Sequence, residues 1–241
     1  MRRKTIETCL VAFLGLFASR AANAGPPLIC QPIEIGDANS LPWDGGAWGA
    51  RAGVTPAQVV DETLRILDSK TLVLVRMETM RRASVYLAGL RGYSDLSAGS
   101  RDRGARGSET RRDRDAAATR LDTLNRRAED AAKAGRIDAL AFFDAGYLSE
   151  AYSQAGLPEN LNGYSMVKRA LEFHDRDPEM SFAAALFCIH PKRPEREKYF
   201  ADAARGAGKG TLLERNLDLT VKRWELGSVA ELRARYNGPA R

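Results

Sequence analysis

Residues 177–189 read DPEMSFAAALFCI. Asp177 is a residue type favoured at the cap of a helix N-terminus, and Pro178 suits the first helical position, where an N–H has no intrahelical partner anyway. From Met180 to Ile189 the segment is apolar nearly all round. A helix with no face to give to water belongs at the centre of a fold.

Helical signals continue on both sides of this segment. Upstream, Asn162 caps a helix running to residue 174, and residues 137–155 form an aromatic-rich helix closed by Gly156-Leu157-Pro158. Residues 116–134 carry a thin stripe of Leu121, Leu124, Ala128 and Ala131. Over residues 72–90, Val73, Met77, Met80, Ser84 and Leu87 share one face, with Arg81 and Arg82 expected on the side turned away. Thr55-Pro56-Ala57-Gln58 is a capping box that opens a helix over 55–69. Downstream, helices are expected over 195–207 and 212–225, and Ser228-Val229-Ala230-Glu231 is a second capping box. No stretch alternates as a strand does, so the fold class is all-α. Antiparallel helix pairs, stacked as a solenoid or gathered as an irregular bundle, are expected in one domain over 55–241.

Composition bounds the rest. With 241 residues, 44% hydrophobic and 28% charged, the chain can build a core, which excludes collagen-like and wholly disordered classes. Its formal charge is +6, but the first residues account for half of that. Arg2, Arg3 and Lys4 precede an apolar run from Cys9 to Ser19, and Ala22-Asn23-Ala24 is a small-x-small cleavage site. Residues 1–24 are therefore expected to be a signal peptide, too short in its apolar part to span a bilayer. Its loss would remove four basic groups and one acidic group and leave +3, so no nucleic-acid partner and no stable membrane span are expected. The mature protein is expected outside the cytoplasm, periplasmic or extracellular.

That compartment gives the cysteines meaning. Cys9 lies within the leader, leaving Cys30 and Cys188, and an oxidising environment favours a bridge between them. A loop of that length is worth roughly 4–5 kcal/mol in the chain-entropy model. Residues 25–54, with four prolines and six glycines, are expected to form an extended strap laid on the core through Leu28, Ile29, Ile33, Ile35, Trp43 and Trp48. Residues 92–115 hold six arginines, five acids and four glycines and are expected to be a flexible polyampholyte loop.

Residues 177–210 resemble one tetratricopeptide repeat. With Asp177 as its first position, Met180, Ala183, Ala184 and Phe187 fall on the core positions of the first helix, and Phe200 and Ala203 on those of the second. Arg196 stands where a small residue is usual and Gly208 where proline is usual. The resemblance implies a helix-pair scaffold that offers a concave face to a peptide or protein.

Residues able to do chemistry are few. His174 and His190 have no partner at metal-binding spacing, so neither a metal site nor a cofactor is expected. Gly206-Ala207-Gly208-Lys209-Gly210-Thr211 lacks the glycine and the Ser/Thr of a phosphate loop and reads as an inter-helix turn. Asp144, set between Phe143 and Tyr147, is either a general acid or the structural partner of an arginine such as Arg76 or Arg81. The function expected is a non-catalytic module that binds or scaffolds a protein or peptide, with Phe143, Tyr147, Tyr152 and Tyr164 as the candidate contact surface. The alternative is a hydrolase or lyase that uses Asp144 and Glu150.

Overall fold

The computed structural model describes residues 26–90, 108–136, 138–159 and 161–235. The expected leader, residues 1–24, and residues 92–107 of the expected loop lie outside them.

Among the described residues a single helical turn, Pro27–Cys30, precedes ten helices. These are α1 Pro56–Ile66, α2 Val73–Ala88, α3 Ser108–Leu121, α4 Thr123–Lys133 and α5 Ala139–Ala155, followed by α6 Gly163–Phe173, α7 Pro178–Phe187, α8 Arg196–Gly206, α9 Leu212–Arg223 and α10 Val229–Arg235. No strand occurs among them beyond one isolated bridge between Trp43 and Ala50. The fold is all-α.

The caps act as their residue types require. Thr55 and Gln58 form the reciprocal capping box at α1, the Asp177 carboxylate accepts from the Glu179 and Met180 amides at α7, and Asn162 accepts from Ser165 at α6. Helix α2 is different, because Leu72 at its cap has no side chain to offer. Glu179 of α7 supplies the acceptor instead, 3.1 Å from the Leu74 amide, so the start of α2 is capped from another helix.

Two boundaries depart from expectation. Residues 108–115 are helical and open α3 instead of ending a loop. They contain no glycine, and they continue into Ala117, Ala118 and Leu121, whose burial, with α3 packed on α1, holds the charged end in helical register. The helix expected over 116–134 is divided at Asp122 into α3 and α4.

Helix α5 is surrounded by α2, α4 and α6. Its approach to α6 is set by two glycines: a Cβ on Gly146 would fall 2.6 Å from the Gly163 carbonyl oxygen, and one on Gly163 would fall 2.5 Å from the Gly146 oxygen. The backbones touch there. Helices α7 and α8 pack against each other, with Met180, Ala183, Ala184, Phe187, Phe200 and Ala203 all buried.

The strap lies between α2 and α9 and is held by charge as well as apolar contact. Leu28, Ile29, Ile33, Ile35 and Leu41 are buried. The buried Glu78 carboxylate accepts from the Ile33 amide at 2.9 Å, from Arg81 at 2.7 and 2.8 Å, and from Arg82 at 2.7 Å. Arg81 then donates to the carbonyls of Ile29 and Ala47, and Arg82 to that of Leu41. Both guanidiniums lie against the Trp43 ring, 4.9 and 5.4 Å from its centre. The expectation that Arg81 faces away from the core is therefore corrected: it is 0% exposed, because the strap roofs that side of α2. On the far side, Asn216 pairs with both the amide and the carbonyl of Glu34, at 2.8 and 2.9 Å, and Gln31 bonds Thr220 and Trp224.

Burial works to raise the Glu78 pKa, but Arg81, Arg82 and the Ile33 amide outweigh it and hold the carboxyl below its ordinary value. A depressed pKa stabilises the fold fully above the unfolded value near 4.5, and that contribution is lost as pH falls through the folded value. Glu78→Ala strands two guanidiniums, one of them fully buried, and should cost about 3–5 kcal/mol in urea unfolding at neutral pH, the difference from wild type shrinking on acidification below 4.5. Gly146→Ala should lose about 1–2 kcal/mol net in the same assay, because forcing α5 from α6 outweighs the helix propensity gained.

Candidate functional site

The aromatic set expected to offer a contact surface is core instead. Phe143, Tyr147 and Tyr152 are 2% exposed or less, and Tyr164 is 7%. Tyr147 stacks between Phe143 and Phe187, with ring centres 5.8 Å apart on each side. For Phe143, Tyr147 and Tyr152 the cause is the position of α5, packed against α2, α4 and α6, while Tyr164, on α6, lies beside Cys188 and Tyr199.

Asp144 is the structural partner of an arginine. Its Oδ2 accepts from Arg76 Nη1 at 2.6 Å, both side chains are sealed from solvent, and Arg76 also donates to the carbonyls of Thr71 and Asp68. The pair ties the α1–α2 connection to α5. Desolvation pushes the Asp144 carboxyl up to about 6 in spite of Arg76. Glu150 is half-buried and bonds Gln154 at 3.2 Å, while Gln154 Oε1 accepts from the Leu28 amide at 2.8 Å. One acid thus serves the core and the other supports the strap. The two carboxylates are held by different partners, Asp144 by Arg76 and Glu150 by Gln154.

Cys30 and Cys188 are buried free thiols, so the expected bridge is not formed. Their surroundings differ: Arg223 and Arg81 lie near Cys30, whereas Tyr164, Arg193, Glu195 and Arg196 lie near Cys188. Burial pushes both thiols up to about 11, which keeps them protonated at neutral pH. The exposure of Cys30 that would make an unpaired thiol a liability is absent, because the Pro27–Cys30 turn is buried.

An open feature lies elsewhere, across α6, α7 and α8. A groove of about 370 Å³ is lined by Lys168, Leu171, Glu172, Asp175, Arg176, Ser181, Lys198, Tyr199 and Asp202. Leu171, Ser181, Tyr199 and Asp202 are buried lining, while Glu172, Asp175, Arg176 and Lys198 are exposed. Asp202 is fixed by Lys198 Nζ at 2.8 Å and by Arg205 on its other oxygen. A shallower depression on the same outer face of α6 shares Lys168 and Glu172 and adds Ser165, Arg169 and Phe173. Arg169 lies over the Phe142 and Phe173 rings at 4.9 and 5.6 Å.

Sequence reasoning missed these residues. Ser165, Lys168, Arg169 and Glu172 recur at helical spacing opposite Tyr164, Val167, Ala170 and Leu171, which reads as a solvated face. The wall facing them comes from α8, some 30 positions later, and periodicity carries no information about that. No family model matches the chain, and neither the curated proteins nor the solved structures compared with it give a match.

A raised pKa means that the folded protein holds the Asp144 proton after the unfolded chain has released its own. Stability from this group therefore declines as pH rises from about 4 to about 6. Relative to Asp144→Asn, the wild type should lose unfolding free energy across that window and run parallel to it above pH 7, measured by urea unfolding at each pH.

Proposed function

We propose that this chain is an exported, non-catalytic helical module that binds a peptide segment of a partner protein in the α6–α8 groove. The observation that carries the reading is the groove itself. It is open, has both charge signs on its rim, and has a buried floor of Leu171, Ser181 and Tyr199. A peptide ligand suits such a surface, since side chains can meet the floor while backbone and charged groups meet the rim. The resemblance of residues 177–210 to a tetratricopeptide repeat supports the same reading, because α7 and α8 are the helices of that pair and Ser181, Lys198, Tyr199 and Asp202 come from them. Export rests on the basic start, the apolar run and Ala22-Asn23-Ala24.

Glu172 is exposed on the groove rim, so Glu172→Trp fills the groove without entering the core. Random peptides displayed on phage and selected on the purified protein should include a class retained by the wild type and lost on Glu172→Trp, with unfolding midpoints unchanged. Equal retention of every selected peptide by both proteins would refute groove binding. Mass spectrometry of the protein recovered outside the cytoplasm should give a chain beginning at Gly25.

A further inference from the structure

We infer that the cavity between residues 50–56, the end of α2 and the first half of α3 is a second binding site, separate from the α6–α8 groove, and that it takes a small monocarboxylate with an apolar body such as a single ring. The cavity measures about 240 Å³. Its apolar walls are Val54, Val85, Leu90 and the Tyr86 ring. The charged side chains that line it are Arg51 and Arg114, and the other lining residues are alanine, glycine and proline. Among the described residues no carboxylate lines this cavity.

The walls are fixed in place. Val85 and Leu90 are buried, and the Leu90 amide closes the end of α2 by donating to the Val85 carbonyl at 3.1 Å. The Tyr86 hydroxyl donates to the Pro42 carbonyl at 2.5 Å and accepts from the Arg51 amide at 2.8 Å, while the Trp43 ring meets the Tyr86 ring edge-on at 5.8 Å. With its hydroxyl bound on both counts, Tyr86 gives the cavity an apolar ring. A cavity of roughly 150 Å³ is enough to admit benzene. The space here therefore accommodates one ring and a carboxylate.

The cations decide the sign of the occupant. A Cβ on Gly89 would fall 2.6 Å from Arg114 Nη1, so this half-buried guanidinium lies against the C-terminus of α2. The negative end of the helix dipole favours a cation at that point and holds it without a carboxylate. Arg51 pairs through Nε with Asp44 at 2.9 Å, outside the cavity lining, whereas Arg114 forms no ion pair among the described residues. One positive charge is thus left over beside an apolar wall, which matches a singly charged anion. A guanidinium fork suits a carboxylate, and the charge-assisted bond gains strength where water is excluded. A neutral apolar molecule would cover the guanidinium without giving it an acceptor, and a cation would be repelled.

The test is titration of the full chain with three probes, followed by NMR of the backbone amides. Phenylacetate should shift the Gly53, Gly89 and Leu90 amides saturably, acetate should bind at least tenfold more weakly for want of the ring, and 2-phenylethylamine should leave those amides unmoved. Arg114→Gln should weaken phenylacetate about tenfold with an unchanged urea midpoint. Ala52 is an exposed lining residue, so Ala52→Trp should fill the cavity and abolish the shifts while the protein stays folded. Amides unmoved by phenylacetate, equal binding of 2-phenylethylamine, wild-type affinity in Arg114→Gln, or phenylacetate binding that survives Ala52→Trp would each overturn the inference.

Discussion

The Glu78 carboxylate, buried among Arg81, Arg82 and the Ile33 amide, is the contact on which the arrangement of the protein depends. A buried cation, a partly buried one and a buried anion on one helix are costly in a core unless every donor finds an acceptor. Here the acceptors left over after Glu78 are the carbonyls of Ile29, Leu41 and Ala47. The strap is thus the rest of the charge network and not an accessory laid over a finished bundle. Its apolar residues fill the same interface, and its opposite edge pairs with Asn216 and Gln31's partners on α9 and just beyond it, so α2 and α9 are joined through a segment with no regular structure beyond one turn.

The same principle orders the second buried ion pair. Arg76 and Asp144 join the α1–α2 connection to α5, while Glu179 caps α2 from α7. Polar groups hold the helices in register at three places, and small residues set their separation, Gly146 against Gly163 and Gly206 against Pro178. The outer faces of α6 and α8 take no part in this network. They are left with charges of both signs around a groove, next to a turn whose backbone is strained at Arg176.

The helices themselves were largely legible. Thr55, Asn162, Asp177 and Ser228 cap through the hydrogen bonds their side chains favour, and the apolar run from Met180 to Ile189 is buried. These are local effects, decided within four residues. The start of α3 was misread because composition over 92–115 averages a glycine-rich part with a glycine-free part that continues into Ala117 and Leu121. The fate of the chemistry-bearing side chains was not legible in the same way. Asp144 could be an acid or a structural partner until Arg76, 68 positions away, was seen to hold it. Arg81 reads as a surface residue by its charge, although it stands four positions after Met77 and so shares that side of α2, and nothing local announces that a strap covers it.

What the sequence by itself determined is the class and the ends of most helices, since capping and periodicity are set by neighbours along the chain. The tertiary structure decided which aromatic residues are core, that Cys30 and Cys188 sit in different surroundings as free thiols, and that the open polar groove lies on α6–α8. The physical reason is that burial, ion pairing and grooves depend on which distant segments meet. A carboxylate or a guanidinium acquires its role from the partner it is packed against.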